Sequence, residues 1–429
     1  MHTSWPVRSL RDVVDIYDGP HATPKKTQSG PFFLGISNLV DGRVDLSEAE
    51  HLSEEDFQRW TRRVTPQSGD LVFSYETRLG EAALIPDGLR ACLGRRMGLM
   101  RVRDNSINKR FLLYAYLGPE FQETIRARTV HGSTVDRIPL IEMPDFPIRL
   151  PDRVAQDGIA AVLGTLDDKI ELNRKMSATL EAMARALFKS WFVDFDPVRA
   201  KAEGRDPGLA PEIAALFPDS FEESELGEIP SGWAFAKLLD IAALNPEIWS
   251  KTTRPSVIKY VDLSNVKRGR FERPATFEQS AAPSRAQRVL RPGDTLMGTV
   301  RPANGSYGLV ADKGLTGSTG FVVLRPMRSK SFTYLAATSK DNIERLGHLA
   351  DGGAYPAVRP EVVGETRVAL PSTNVLCAFD TIATPLLDRY SQAERESGTL
   401  AALRGALLPK LISGEIRVTD AERLLERSA

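Results

Sequence analysis

An internal duplication constrains this chain more than any other feature. The stretch Trp5-Pro-Val-Arg-Ser-Leu-Arg-Asp-Val-Val-Asp-Ile16 has a counterpart in Trp233-Ala-Phe-Ala-Lys-Leu-Leu-Asp-Ile241. Ser37-Asn38-Leu-Val-Asp-Gly42-Arg43 returns as Ser264-Asn265-Val-Lys-Arg-Gly269-Arg270, and Ser68-Gly69-Asp70-Leu-Val-Phe73 as Pro292-Gly293-Asp294-Thr-Leu-Met297. Ile148-Arg-Leu150-Pro151 pairs with Val368-Ala-Leu370-Pro371, and Leu166-Asp-Asp168-Lys-Ile170 with Leu386-Leu-Asp388-Arg-Tyr390. The order is kept, and the offset drifts only from 228 residues (Trp5 to Trp233) to 220 (Leu166 to Leu386). A period that long is no solenoid repeat; it fits two copies of one domain-plus-helix unit.

Each copy opens with a globe. Residues 1–150 and 230–370 are rich in short alternating apolar segments punctuated by Gly and Pro, the pattern of strands and turns. Residues 71–75, 82–85, 98–102 and 321–324 read as strands, and 111–117, with its counterpart from Phe332, as a helix near the end of each globe. The expected class is α+β, with two similar mixed α/β globes built on curved sheets.

The rest of each copy is a long helix, expected over 151–196 and, with a C-terminal tail, over 371–429. In the first, Ile159, Leu163, Leu166, Ile170, Asn173, Ser177, Leu180, Ala184, Leu187 and Trp191 step by fours and threes, an a/d seam with a polar layer at Asn173 and Ser177. In the second, Phe379, Ala383, Leu386, Tyr390, Ala393, Ser397, Leu400, Leu407 and Leu411 keep the rhythm; Arg404 breaks it, with Leu403 filling in. Pro385 falls inside this stretch and should kink the helix or delay its start. Two seams of similar length satisfy each other most simply as an antiparallel coiled coil with pseudo-two-fold symmetry. A parallel pair would make the Pro-rich linker, 197–229, run back along the rod. Trp191 and Phe192 either dock a partner as exposed aromatics or close the seam against residues 376–379, and the second reading is preferred. The first seam covers the 33 residues from Ile159 to Trp191, about 50 Å of helix, or roughly 15 base pairs of duplex. Such a molecule would be a calliper whose two globes read separate short sequences.

Charge supports a nucleic-acid partner only locally. The net charge is zero, but residues 251–350 carry 17 Lys and Arg against 7 Asp and Glu, 201–250 carry 3 against 10, and 51–150 carry 15 against 13. The basic stretch is either a phosphate-facing surface or a solvated face. No apolar run reaches the roughly 18 residues of a membrane span, and residues 1–10 lack the layout of a secretory signal. Two distant cysteines, Cys92 and Cys377, suit a reducing cytoplasm.

Chemistry is hard to find. There is no Gly-x-x-x-x-Gly-Lys-Ser/Thr phosphate loop, and no methyltransferase signature of the Asn-Pro-Pro-Tyr or Asp-Pro-Pro-Tyr kind. The five histidines (His2, His21, His51, His131, His348) lack metal-ligand spacing. Asp167-Asp168 reads as helix-surface ion pairing, and Asp70, Glu76 and Glu81 as acidic turn residues rather than metal ligands. No catalytic residue, metal site or cofactor is expected in this chain.

Three stretches carry a family resemblance. Asp167-Asp-Lys-Ile-Glu-Leu-Asn-Arg-Lys175, followed by Leu187-Phe-Lys-Ser-Trp-Phe-Val-Asp-Phe195, is similar to the first conserved helix of type I restriction–modification specificity subunits. Glu225-Leu-Gly-Glu-Ile-Pro-Ser-Gly-Trp233 resembles the entry to their second target-recognition domain, and Leu407-Leu-Pro-Lys-Leu-Ile-Ser-Gly-Glu-Ile416 their closing helix. Ser4-Trp5-Pro6 lacks the fuller Ile-Pro-Ser-Gly-Trp wording of the second entry. The resemblance implies a non-catalytic subunit that reads a bipartite double-stranded DNA target with an unread spacer. It implies docking of methyltransferase subunits and restriction/translocase subunits, an assembly using S-adenosylmethionine, ATP and Mg, and a cytoplasmic location. The rival reading is a coiled-coil adaptor without DNA specificity, which the acidic 201–250 stretch would suit.

Base edges and phosphates are read by Arg, Lys, Asn, Gln, Ser or Thr on loops. Candidates in the first globe are Lys25, Lys26, Ser37, Asn38, Arg43, Tyr75, Thr77, Arg78, Arg95, Arg96, His131 and Ser133. In the second they are Ser264, Asn265, Lys267, Arg268, Arg270, Arg301, Asn304, Ser306, Tyr307, Ser318, Thr319 and Tyr355. Against each stands the plainer reading of a tight turn beside soluble charge.

Overall fold

Two strands with every side chain buried, Leu71–Ser74 and Thr295–Gly298, mark the centres of the two copies. The computed structural model describes residues 5–20, 23–132, 135–225, 227–250, 252–353 and 355–428. They divide into two compact units, Met1–Lys169 with Leu400–Ala429, and Ile170–Thr399.

In the first unit the central strand lies in an antiparallel sheet of order Val14–Asp18, Met97–Val102, Leu71–Ser74, Ala82–Leu84. A second sheet joins Glu50–Leu52, Lys26–Leu34 and Ala91–Leu93, the last two parallel. The hairpin Leu39–Val40/Arg43–Val44 and the pair Val7–Ser9/Pro147–Arg149 complete the strands. The second unit repeats the plan. Its central sheet runs Ala242–Leu244, Phe321–Pro326, Thr295–Gly298, Tyr307–Leu309; its second sheet Ala275–Glu278, Val257–Val261, Leu315–Ser318, Ala286–Val289, again with one parallel pair. Here Val266–Lys267/Arg270–Phe271 is the hairpin and Ala234–Lys237 pairs with Arg367–Leu370. Two helices follow each central sheet: Lys109–Leu117 and Pro119–Arg128, then Lys330–Ala337 and Lys340–Leu349. Their starts are written in the sequence. The side chain of Asn108 accepts from the backbone N–H of Arg110 and Phe111, and that of Ser329 from Phe332, each capping otherwise unpaired donors.

The long helices run Arg153–Phe192 and Thr373–Ile412, 40 residues each, about 60 Å at 1.5 Å per residue. In the first unit Ile159, Leu163 and Leu166 share a core with Leu407, Leu411 and Ile412. In the second, Ala184, Phe188 and Trp191 share one with Val375, Leu376, Phe379, Ala383 and Leu387. The start of each helix thus lies against the end of the other, and the pair is antiparallel. Asn173, Ser177 and Ser397 are buried, as a polar layer requires.

Three expectations about the helices need correction. The second helix neither starts late nor breaks at Pro385. That residue is exposed and costs one backbone bond, while Ala383 and Leu387 beside it are buried. The fully buried seam residue is Leu387, with Leu386 only half-buried, so that the buried stripe steps by four from Ala383 to Leu387 and by three to Tyr390. Leu180, Leu187 and Leu400 are half-buried as well. The linker is more than a turn. It forms the helices Asp196–Ala202 and Pro211–Ala214 and the hairpin Phe221–Ser224/Gly227–Pro230, and sends Val198 and Phe217 into the second unit's core. Among the described residues no helix is long and apolar enough to cross a membrane.

Candidate nucleic-acid interface

The residues shared word for word by the two copies turn out to build turns. The side chain of Asn38 accepts from the backbone N–H of Gly35 at 2.8 Å, and that of Asn265 from Asp262 at 3.1 Å. Each then continues into a hairpin whose two central residues are left-handed, Asp41–Gly42 (φ 51° and 81°) and Arg268–Gly269 (φ 47° and 85°), the backbone of a two-residue hairpin turn. Asp70 and Asp294 likewise accept from the backbone N–H three residues earlier, both at 2.8 Å. Asn38, whose amide also donates to the Asp45 carbonyl at 2.9 Å, and Asn265 thus both serve the turns. Gly269 also sits where a Cβ would come within 2.6 Å of the buried Tyr390 hydroxyl. Gly269→Ala is expected to cost about 1–3 kcal/mol. Gly314→Ala, equally left-handed at φ 76° but in open space, should cost about 1 kcal/mol. Denaturant titrations of the two variants check the difference.

Three loops are stitched into one edge by the same bonds in both units. In the first, Glu76 and Val130 both bridge to Arg137, and the Thr77 N–H donates to the Asp136 carbonyl. In the second, Val300 and Asp351 both bridge to Ala357, and the Arg301 N–H donates to the Pro356 carbonyl at 2.7 Å. Thr77 and Arg301, at matching positions, are both left-handed, φ 69° and 46°. The second unit adds its hairpin to this edge: the Arg268 N–H donates to the Gly305 carbonyl and the Gly269 N–H to that of Tyr307. Lys267, Arg268, Arg270, Arg301, Asn304 and Tyr355 are exposed on these loops. The guanidinium of Arg301 lies 4.9 Å from the centre of the Tyr355 ring. The first unit's matching edge is less basic, with Asp41 where the second has Arg268 and Thr77 where it has Arg301.

Each unit's loops are also tied to a helix carried by the other copy. Arg404 donates to Asp167 at 2.6 Å and to the carbonyl of Asp41. Tyr114, whose phenol burial pushes up, donates to the other oxygen of Asp167 at 2.6 Å. Asp168 pairs with Arg110 at 2.5 Å. In the second unit Arg185 pairs with Glu181 at 2.7 Å, donates to the Thr338 carbonyl, and lies 5.7 Å from the Tyr307 ring centre. Sequence reading took Arg404 as a mere break in the seam and passed over Arg185. A charge at an apolar heptad position was the available signal for the former.

Residues 3–182 match the family model described as the type I restriction modification DNA specificity domain. The HindI specificity subunit of Haemophilus influenzae is 25% identical over 331 residues, 66% of this chain and 72% of the relative. The MjaIX specificity subunit of Methanocaldococcus jannaschii is 21% identical over 437 residues, 97% of this chain and 94% of the relative. The chain is similar to type I restriction–modification specificity subunits. A crystal structure of such an S subunit from M. genitalium shares its fold, with a TM-score of 0.56 at 16% identity over 95% of this chain and 96% of that one.

The remaining candidates separate by burial. Tyr75 is buried and donates to Asp18 at 2.8 Å; Ser318 is buried and accepts from the Gly320 N–H. Ser306 donates to the Leu263 carbonyl, Ser264 to Asp262, and Tyr307 is half-buried beneath Arg185. Tyr75, Ser318, Ser306 and Tyr307 thus support the loops, correcting their expected place on the surface. Arg96, left-handed at φ 74°, pairs with Glu76 at 2.9 Å and donates to Thr77; Arg78 pairs with Glu81, Lys26 with Glu50, and His131 with Asp136. Lys25, Ser37 and Arg95 are exposed, Arg43 and Thr319 half-buried. Ser133 lies outside the described residues. Among the described residues no three His, Cys, Asp or Glu side chains gather as a metal site.

Proposed function

We propose that the chain is the non-catalytic, sequence-reading subunit of a type I restriction–modification complex, and that each unit contacts one half of a bipartite double-stranded DNA target. The observation that carries this is the edge built twice from the same backbone bonds and decorated differently, Asp41 and Thr77 against Arg268 and Arg301. A scaffold that holds loops constant while changing their side chains suits two readers of unlike sequences. The basic loops of the second unit supply phosphate contact, which makes binding salt-dependent. The antiparallel helix pair supports an unread spacer between the half-sites. Methyltransferase and restriction/translocase subunits would dock on this subunit in the cytoplasm and bring S-adenosylmethionine, ATP and Mg with them.

Sequencing of methylated sites made by the chain together with the methyltransferase subunit of its host tests the reading. The expected result is one motif of two unlike halves around a fixed spacer. A contiguous motif, or methylation without sequence preference, would overturn it. The adaptor reading is separated by gel retardation of random duplex with the methyltransferase present: an adaptor gives none even at low salt.

A further inference from the structure

The edge loops contain an asymmetry that bears on what each half-site must hold, provided that the DNA-reading role proposed above is right. Among the described residues the non-glycine positions with left-handed backbones are Asp41, Thr77, Arg96, Phe195, Asn245, Arg268 and Arg301. Four of these form two matched pairs, Asp41 with Arg268 and Thr77 with Arg301. A left-handed β-branched threonine is an outlier, and such strain persists only where surrounding structure imposes it, typically at functional sites. Both copies impose it at the same place, through the same backbone bond, and then present different side chains there.

Arg301 is the side chain best prepared for a base edge. It is exposed, its backbone is pinned by the Pro356 carbonyl, and its guanidinium lies over the Tyr355 ring. Tyr355 is itself 72% exposed, so this large ring contributes little to any core. A ring beside the guanidinium restricts the rotamers of a long side chain before a ligand arrives. The planar fork of arginine matches O6 and N7 of guanine in the major groove. Thr77, short and accepting a hydrogen bond from Arg96 at 3.2 Å, has no such fork. We infer that Arg301, held by Tyr355, reads a guanine in the half-site contacted by the second unit, and that the matching position of the first unit makes no such demand.

The test profiles methylated sites for the full chain assembled with its methyltransferase subunit, comparing wild type, R301A, R301K, Y355F and Y355A. R301A should lose discrimination against other bases at one guanine of one half-site, on the order of 10- to 100-fold, with the other positions unchanged. R301K keeps charge and backbone but not the fork, and should lose the same preference even if R301A folds poorly. Y355F should behave as wild type, and Y355A should weaken the guanine preference without abolishing it. Uniform weakening across all sites with a flatter salt dependence would mean that Arg301 holds a phosphate, and would overturn the inference. An unchanged motif in R301K would overturn it too. A wild-type complex with no motif at all would instead bring down the DNA-reading role, a failure distinct from either.

Discussion

Trp191→Ala should destabilise the chain by about 3–5 kcal/mol, the cost of emptying a large buried aromatic site. Trp191 is 1% exposed, although it lies at the last turn of a helix and would be an obvious docking side chain if it faced solvent. Its ring meets Phe217 of the linker edge-on at 5.0 Å, Phe379 of the second long helix at 5.8 Å and Phe192 at 6.1 Å. Phe192 in turn packs on Trp233, Phe332 and Phe379. One cluster therefore fastens four pieces far apart in sequence: a helix end, a helix start, the linker and the opening of the second globe. Alanine would leave a cavity that rigid neighbouring rings refill poorly, which is why the upper part of the range is expected. Met183→Ala, on the same helix but half exposed, should cost under about 1 kcal/mol. Guanidinium titration followed by circular dichroism reads both. A cost below about 1 kcal/mol for Trp191→Ala would mean that the cluster is not holding these elements together.

Much of this architecture was legible because duplication is a long-range signal that local ambiguity does not erase. Ser-Asn, Gly-Asp and the heptad stripe recur in order, and each marks something real: a turn, a strand entry, a helix pair. The same signal singled out residues that the scaffold itself needs. Residues repeated in both copies, such as Asn38 and Asn265, are repeated because both folds need the turn, whereas readers of unlike sequences should differ between copies. The informative positions were the unlike ones beside shared glycines, Asp41 against Arg268, and the pair Thr77 and Arg301, which no shared motif flags. Their left-handed backbones depend on bonds to carbonyls about 55–60 residues away (Asp136 for Thr77, Pro356 for Arg301), beyond the reach of local pattern. Pro385 was misread for a related reason: helix propensity is a weak prior against burial along the opposite face.

Asp294→Ala should cost about 3 kcal/mol, because it takes the buried two-oxygen acceptor from a partly buried arginine that is left with Glu247 as its one carboxylate. The Asp294 side chain is 1% exposed and takes both Nε and Nη2 of Arg325, at 2.8 and 2.9 Å, besides the backbone N–H of Arg291. Hydrogen bonding to Asp294 is the first cause holding the Arg325 proton more tightly than usual. The first unit contains the same fork, Arg101 on Asp70 at 3.0 and 2.6 Å, so one molecule offers the experiment twice. The size of the loss would reflect a charge left with Glu247 alone more than the worth of the pair. Desolvation consumes most of what a buried ion pair gains, and an apolar pair of similar volume can be as stable. Asp294→Leu with Arg325→Met should therefore cost well under the sum of the two single changes, by about 1–3 kcal/mol. Equality with that sum would show that the two side chains act independently, and that the Arg291 N–H, left without its acceptor, accounts for the Asp294 effect. If the coupling appears in both units, the shared Gly-Asp motif is a device for anchoring the edge of each central sheet, and its recurrence needs no explanation from DNA.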